Sequence, residues 1–384
     1  MKNERVMRSE KIIKAYPANV SQRDRIVGAI VGAFIGDALG VGCQWYYDLA
    51  QLRQDFGPWI DNYVDPKVDS LSKWGKVLAH RHRKGVRAGD GSQTATFMEM
   101  LLESVAANKG YGRYDYTHRI DAFLQSLDGE PDDPYAGIWT DEMVRVVRKA
   151  RLAGISWDDP DFQSPADGSD CAQRGVILAA AYRNPAKLAK LAHQDMRLFF
   201  QNRFIVGHQL TYVLFVQTII NGVPLEQIGA YLQKLGDDHQ IMQYVVNFDT
   251  IDSPRTAVIA WDPDYRLEPA SKICKVYGLA CQATFLLPAA YYLAYRYPND
   301  FETAVLSAIN GGGNNMARAT LTGGIVGAMV GIQGIPEKFI SGLNKGEKYL
   351  KLAQEISDFA VGNPNYQFVD YNPNDDSLPH SADI

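Results

Sequence analysis

The chain has 384 residues, of which 46% are hydrophobic and 22% are charged, a composition typical of globular proteins with a sizeable core. Its formal net charge is −5 at pH 7 and its basic clusters are short, which argues against a nucleic-acid-binding protein. The four cysteines are scattered without CxxC spacing, so that neither a disulfide framework nor a zinc site is expected and a cytoplasmic location fits.

Residues 1–20 are charged and lack the apolar segment of a secretory signal, so we expect a flexible N-terminal arm. Ser21 and Asp24 then resemble a capping box ahead of an apolar run that ends at Val41. Glycine recurs at every fourth position of this run and lines one helix face: Gly28, Gly32, Gly36 and Gly40. Each interior glycine costs roughly 0.8–1 kcal/mol relative to alanine, so the row indicates a second backbone packed closely against this face.

Helical periodicity continues along the chain and predicts an all-α fold. The predicted helices span residues 95–108, 116–127, 141–152, 172–183, 185–196, 204–220, 224–235, 276–294, 302–308 and 347–362. Segments 128–137 and 157–168 are predicted loops, and residues 251–261 form the best, though weak, candidate strand. The most apolar segments, 26–41 and 319–332, are shorter than the roughly 20 residues that span a membrane. We expect a single domain over residues 21–362 and a polar, extended or disordered tail over residues 363–384.

A glycine-rich turn before another helix is the most informative segment. Three glycines follow Asn310, and the polar positions after them are amides and one arginine: Asn314, Asn315 and Arg318. Glycines before a helix N-terminus let backbone amides approach an anion or a metal-bound ligand closely. The following helix carries a second glycine row, Gly323, Gly327 and Gly331, which makes it the natural partner of the first row. No carboxylate lies in the turn, although a metal there would require carboxylates.

Two further clusters carry groups suited to acid–base chemistry. Asp37 lies in the glycine-rich helix, where a lone charge must be paired or line a cavity, or else cap a neighbouring helix. It precedes Gln44, Trp45 and Tyr46. His80, His82 and Asp90 form an acid–base group if they converge, although a lone His-x-His pair is more often ordinary surface. Ser92, Gln93 and Thr94 follow them and can cap the next helix.

For the remaining charged and titratable groups we expect structural roles rather than functional ones. The basic cluster at residues 81–87 is read as a solvated loop. Asp170 and Arg174 are one helical turn apart, which favours a local ion pair. His208 lies on an apolar helix and is read as a core residue.

These motifs resemble the ADP-ribosylglycohydrolase superfamily, including its crystallin-J1-like branch, over about residues 25–352. The family's opening helix, G-x-x-x-G-D-A-L-G, matches residues 32–40, and Gln44 takes the position of its following glutamate. The run Gln44-Trp45-Tyr46-Tyr47-Asp48 resembles the His-Trp-x-Tyr of the crystallin-like branch. The closing motif, G-G-D-x-D-T, aligns without gaps on residues 312–317. The resemblance implies a compact orthogonal bundle of helices.

In the family, two magnesium ions are held by a T-D-D-T motif together with the closing motif. The T-D-D-T positions correspond here to Ser92, Gln93, Thr94 and Ala95, and the two closing aspartates correspond to Asn314 and Met316. A Thr-His pair of the family falls on Phe199 and Phe200. Two dications need hard oxygen ligands and negative charge, which these residues do not supply. We therefore predict that magnesium is lost and that no cofactor replaces it.

Three functional hypotheses follow, all with a small-molecule ligand and without a nucleic-acid or membrane partner. The first is a metal-independent enzyme acting on an organic metabolite by hydrolysis, isomerisation or cyclisation. The second is a catalytically inactive binding or structural protein, and the third is a magnesium-dependent ADP-ribosyl hydrolase with shifted ligands. The candidate catalytic residues are Asp37, Asp90, His80 and His82. The candidate substrate-binding residues are Gln44, Trp45, Tyr46, Gln93, Thr94, Asn314, Asn315 and Arg318.

Overall fold

The computed structural model describes residues 14–159, 163–245 and 247–362, and within these ranges it contains eighteen α-helices and no β-strand. The helices are α1 Gln22–Val41, α2 Leu49–Phe56, α3 Gly75–Arg83, α4 Gln93–Asn108, α5 Arg113–Ser126, α6 Glu142–Leu152, α7 Asp170–Ala181, α8 Pro185–Met196, α9 Arg203–Ile220, α10 Ile228–Gly236, α11 His239–Val245, α12 Phe248–Asp252, α13 Ile273–Tyr277, α14 Ala283–Arg296, α15 Phe301–Asn310, α16 Asn315–Val330, α17 Glu337–Ser341 and α18 Gly346–Gly362. The all-α prediction is confirmed.

The predicted arm and tail fall largely outside the described residues. Of the arm, only residues 14–20 are described. Tyr16 in this part is buried, and the guanidinium of Arg25 lies 4.5 Å from the centre of its ring, so the end of the arm packs on the core. The tail, residues 363–384, lies wholly outside the description. No helix in the described part of the chain combines the length and apolarity needed to cross a bilayer.

Antiparallel helices α1 and α16 form the centre of the molecule, and their glycine rows face each other. A Cβ atom added at Gly32 would lie 2.4 Å from the carbonyl oxygen of Gly323, and one at Gly36 would lie 2.1 Å from that of Ala319. The same holds in reverse for Gly323, whose added Cβ would lie 2.1 Å from the Gly32 carbonyl oxygen. The two backbones touch directly, as the spacing of the glycines predicts.

Two predicted elements are wrong. Residues 251–261 are not a strand: α12 ends at Asp252 and a 3₁₀ helix, Ser253–Trp261, follows it. Asn247 caps α12 by accepting a hydrogen bond from the backbone N–H of Asp249, and Pro254 lies in the first turn of the 3₁₀ helix, so these local signals override the alternating pattern. The predicted helix 276–294 is also interrupted, because Gly278 has φ +133° and separates α13 from α14.

Short backbone connections bring the helix ends together on one side of the α1–α16 pair. The backbone N–H of Trp45 donates to the carbonyl oxygen of Gly313 at 2.7 Å, and Gly313 N–H donates to that of Tyr46 at 2.6 Å. The N–H of Asn314 donates to the carbonyl oxygen of Leu279 at 2.8 Å. The end of α1, the glycine-rich turn and the α13–α14 connection are thereby fixed against one another.

Candidate functional site

A cavity of about 80 Å³ lies where the C-terminal end of α1 meets the N-terminal ends of α4, α6, α7 and α16. Its wall consists of amide, hydroxyl, indole and carboxyl groups with a few apolar atoms: Gln44, Trp45, Arg81, Ser92, Gln93, Thr94, Trp139, Asp141, Gly168, Ser169, Asp170, Gln173, Cys281, Asn314, Met316 and Ala317. The volume is small compared with the roughly 300–1,000 Å³ of sites for drug-sized ligands. It suits a small molecule or one group of a larger one.

A chain of hydrogen bonds between side chains forms one wall of this cavity. The Gln44 amide nitrogen donates to Asn314 Oδ1 at 2.7 Å, and Arg81 Nη1 donates to Gln44 Oε1 at 2.8 Å. Arg81 is 2% exposed, so a guanidinium is fixed beside the cavity. The reading of residues 81–87 as a solvated loop is wrong for Arg81, because it lies in helix α3 and donates a further bond to the carbonyl oxygen of Val41.

Two tryptophans reach the cavity from strained backbone positions. Trp45 has φ +66° and Trp139 has φ +155°, values that bulky residues rarely adopt. The backbone of Trp45 is held by its bond to the glycine-rich turn and by Ser72, whose hydroxyl donates to its carbonyl oxygen at 2.6 Å. The two indole rings lie 5.7 Å apart at an interplanar angle of 66°. Such strain persists where the surrounding structure fixes it, often at functional sites.

Five of the twelve predicted site residues line the cavity: Gln44, Trp45, Gln93, Thr94 and Asn314. Gln93 and Thr94 stand in the first turn of α4. Gln93 Oε1 accepts from the backbone N–H of Asp141 at 3.3 Å, and Thr94 Oγ1 donates to Asp170 Oδ1 at 3.1 Å. The first turn of α4 is thus tied to the starts of α6 and α7.

Asp37 lies behind the cavity and binds Ser92, the residue that caps α4. It is fully buried, and both of its oxygens accept from Ser92, Oδ1 from the backbone N–H at 2.7 Å and Oδ2 from the hydroxyl at 2.6 Å. Burial raises the pKa of the Asp37 carboxyl to about 6, against the lowering effect of Ser92 and of the Arg81 charge. Asp37 thus supports the cap residue of α4 without capping the helix itself, and none of its atoms lines the cavity.

Three other predicted binding residues hold the backbone in place. Asn315 Nδ2 donates to the carbonyl oxygen of Ile309 at 3.0 Å, and Arg318, fully buried, donates to those of Ala308 at 3.1 Å and of Gly312. These bonds satisfy the last carbonyls of α15 and shape the glycine-rich turn. Tyr46 is also buried, and its hydroxyl donates to a carboxylate in α2. None of the three side chains lines the cavity.

The predicted His80–His82–Asp90 group does not converge. One ring nitrogen of His80 lies 2.9 Å from the carbonyl oxygen of Gly137, and one of His82 lies 3.1 Å from that of Pro66. Asp90 lines a separate, larger cavity of about 250 Å³ on the other side of the α4 N-terminus. The three side chains serve different parts of the structure.

Sequence reasoning missed two carboxyl groups of the cavity, Asp141 and Asp170. The sequence indicates Asp141 only as the first residue of a predicted helix. Its side chain caps α6 by accepting a hydrogen bond from Val144 N–H at 2.9 Å. The predicted ion pair between Asp170 and Arg174 is wrong, because Arg174 pairs with Asp195 at 2.9 Å and both of these side chains are 1% exposed. Asp170 is thereby left to face the cavity.

The two carboxyl groups line the same cavity, Asp141 at the start of α6 and Asp170 at the start of α7. Burial raises the pKa of both groups, and the proximity of Asp170 raises that of Asp141 further. Two neighbouring negative charges disfavour each other's ionisation, which is the cause of this further increase in the pKa of Asp141.

Comparison with known proteins agrees with this architecture. The sequence model of the ADP-ribosylglycohydrolase family matches residues 18–364. Crystallin J1A of Tripedalia cystophora is 24% identical over 348 residues, which cover 87% of this chain and 97% of the crystallin. ADP-ribosylhydrolase ARH3 of Mus musculus is 21% identical over 360 residues, which cover 86% of this chain and 90% of the hydrolase.

The fold is also found among solved structures. One of them is described as an ADP-ribosylglycohydrolase-related protein complex, and it matches with a TM-score of 0.58 and 19% sequence identity over 88% of this chain and 99% of that chain. At this identity the likeness concerns the fold alone. The family match over nearly the whole described chain, together with the paired glycine helices, shows that the chain belongs to the ADP-ribosylglycohydrolase family.

Proposed function

We propose that this protein is a metal-independent enzyme that acts on a small, neutral, polar organic molecule by acid–base chemistry in a cytoplasmic setting. The observation that carries the proposal is the bonded chain from Arg81 through Gln44 to Asn314, which occupies the wall where the family's metal ligands are expected. The indole faces of Trp45 and Trp139 and the unpaired Oε1 atom of Gln173 also line the cavity and suit an uncharged ligand.

A two-magnesium centre does not fit these residues. Gln44 Oε1 accepts from Arg81 and Asn314 Oδ1 accepts from Gln44, so both amide oxygens at these positions already have hydrogen-bond partners. The fixed guanidinium adds positive charge where two dications would need negative charge. Met316 and Ala95, at two of the expected ligand positions, have no oxygen in their side chains.

Two observations favour an enzyme over an inert protein. The first is that bulky neighbouring side chains do not fill the cavity. Phe199 packs on Arg174, whose guanidinium carbon lies 4.3 Å from the ring centre, and Phe199 does not line the cavity. Gln173, 1% exposed, lines the cavity, and its Oε1 atom is buried without a hydrogen-bond partner. A buried unpaired carbonyl costs roughly 1–3 kcal/mol, which a ligand donor would recover.

The test is metabolite depletion from a small-molecule cell extract by the purified protein, followed by mass spectrometry with excess EDTA and, separately, with added magnesium. We expect the same compound to be consumed in both conditions. The variants Asn314→Leu and Gln173→Leu should consume it more slowly, whereas Asp264→Asn, at an exposed position, should match the wild type. Consumption that requires magnesium would contradict the proposal.

A catalytically inactive binding or structural protein is the second candidate. Its support is the small cavity, about 80 Å³, whose wall groups largely bond to one another, together with the similarity to crystallin J1A. Under this alternative no compound is consumed in either condition, and the Asn314 and Gln173 variants do not differ from wild type in that assay. The same experiment therefore decides between the two candidates.

A further inference from the structure

Arg81 carries a buried positive charge that no carboxylate contacts directly among the residues that the structure describes. The side chain is 2% exposed and lines the cavity. Asp37 is within its electrostatic reach, but both oxygens of that carboxylate accept hydrogen bonds from Ser92. Burying a charge without a direct partner is costly. A negatively charged group of a ligand would therefore be stabilised beside Arg81.

The hydrogen bonds of Arg81 fix its position and leave N–H groups to donate. Nη1 donates to the carbonyl oxygen of Val41 at 3.0 Å and to Gln44 Oε1 at 2.8 Å. The guanidinium carbon also lies 5.0 Å from the centre of the Trp45 ring. Nε is buried without a hydrogen-bond partner, and Nη2 has none in the described part of the chain. A fixed guanidinium with N–H groups left to donate suits a carboxylate.

Negative charge lies in the wall of the same cavity, at the starts of α6 and α7. Asp141 and Asp170 both line the cavity, and both side chains are partly exposed. Each is held by one bond through Oδ1, which Asp141 accepts from Val144 N–H at 2.9 Å and Asp170 accepts from the Thr94 hydroxyl at 3.1 Å. A positively charged group of a ligand would therefore be stabilised beside these two carboxyl groups.

An unpaired acceptor, Gln173 Oε1, lies in the wall with these carboxyl groups. Gln173 is 1% exposed, and its Nε2 atom donates to Ser169 Oγ at 3.1 Å, whereas Oε1 is buried without a hydrogen-bond partner. Buried polar atoms in native structures are normally paired, so this atom indicates a ligand donor. An ammonium group has three N–H donors and no acceptor, which matches the amide oxygen and the two carboxyl groups.

We propose that the substrate of this cavity is a small zwitterion, with its carboxylate at Arg81 and its ammonium group between the two cavity carboxyl groups and Gln173. Such a molecule has no net charge, as the proposed function requires, and it pairs both kinds of charge in the wall. A ligand with only one charged group leaves the other part of the wall without a partner. This inference rests on the proposed function and names its substrate class, with Arg81 and Gln173 as specificity-determining residues.

Three zwitterions test this inference without knowledge of the natural substrate. Glycine, β-alanine and 4-aminobutanoate separate the two charged groups by one, two and three carbon atoms. Each is compared with the carboxylate and the amine of matching length, for glycine acetate and methylamine, and with uncharged acetamide. Ligand-observed NMR titrations of the full chain with excess EDTA measure the dissociation constants. We expect at least one zwitterion to bind about tenfold or more tightly than either matching compound with a single charge.

Two variants separate the contributions of the two groups. In Arg81→Met, the best zwitterion should bind no more tightly than the matching amine. In Gln173→Leu, the zwitterion should bind about fivefold more weakly, whereas the matching carboxylate should bind as it does to the wild type. The control is Arg83→Gln, which removes an exposed charge from the same helix as Arg81 and should bind every compound like the wild type. Circular dichroism establishes that each variant is folded, and Gln173→Leu keeps the test decisive if Arg81→Met is not.

Several results would overturn the inference. These are acetamide binding as tightly as the best zwitterion, zwitterions that bind no better than their matching single-charge compounds, and an undiminished affinity for the zwitterion in folded Arg81→Met or Gln173→Leu. Magnesium-independent consumption of a metabolite that is not a zwitterion retains the proposed function and overturns only this substrate class. Selective binding of a zwitterion that is not consumed supports the ligand class and contradicts the proposed enzyme.

Discussion

Substitution of Gly32 by alanine tests the direct backbone contact at the centre of the fold. The new Cβ would lie 2.4 Å from the Gly323 carbonyl oxygen and 3.0 Å from a ring carbon of Phe301, whereas ordinary contacts are 3.4–4 Å. Because the closest atom belongs to the backbone of α16, no side-chain rotation relieves the overlap. The two helices must separate by about 1 Å, along a face on which three further glycines, Gly28, Gly36 and Gly40, also contact the backbone of α16.

The expected cost can be weighed against the gain in helix propensity. Overpacking a rigid interior costs typically 1–3 kcal/mol, and a backbone obstacle places this site at the upper end. Replacing a helical glycine by alanine recovers about 1 kcal/mol. The net effect is a loss of about 2 kcal/mol in the free energy of unfolding, or a fall of a few degrees in melting temperature.

Differential scanning calorimetry measures this effect, with Gly229→Ala as the matched control. At Gly229, in the first turn of α10, the added Cβ meets only the side chain of Arg255, at 3.3 Å, and this arginine side chain is 55% exposed and can move. We expect the control to be as stable as the wild type or more stable. A Gly32→Ala protein that melts at or above the wild-type temperature would refute the close-packing argument.

Three further predictions concern the site and the core. Isothermal calorimetry should detect no magnesium binding to the wild type, and Asn314→Asp with Met316→Asp should introduce it; an unchanged double variant would contradict the alignment of the closing motif. Burial raises the pKa of Asp37 from 3.8 to about 6, so the folded state holds the extra proton between these values and stability should fall as pH rises from 4 to 6. At about 1.36 kcal/mol per pKa unit, the free energy of unfolding of the wild type should fall by about 3 kcal/mol more than that of Asp37→Asn over this pH range. Urea titrations in which both proteins lose stability in parallel would contradict this prediction. Tyr212→Phe removes a buried bond of 2.9 Å to the Leu321 carbonyl oxygen and should cost about 1 kcal/mol, whereas Tyr291→Phe removes a buried hydroxyl without a partner and should not destabilise; equal losses in thermal melts would contradict this contrast.

The glycine rows made the centre of the fold predictable. Each interior glycine lowers the stability of a helix, so a row of them on one face is explained by close contact with another backbone. Gly32 and Gly323 meet as this reasoning requires. The weak strand signal at residues 251–261 failed because alternation over a short segment also arises in irregular helical turns. There, the Asn247 cap and Pro254 decide the conformation.

The cavity was predictable in part. Gln44, Gln93 and Asn314 were predicted as site residues from the family motifs, and all three line the cavity. Gln44 and Asn314 are also hydrogen-bonded to each other. Asp141 and Asp170 were not found, because each has a sufficient local explanation at a helix start. Which helix starts face one another is a property of the tertiary packing, and a local pairing rule cannot anticipate that Arg174 pairs with Asp195, twenty-one residues further along the chain.

The most direct test of the central claim, that this cavity does not hold the family's two magnesium ions, is an X-ray crystal structure from crystals grown with magnesium chloride. The account predicts Arg81 bonded to Gln44, Gln44 bonded to Asn314, and no metal ion in the cavity. Magnesium ions ligated by Gln93, Thr94 or Asn314 would contradict it.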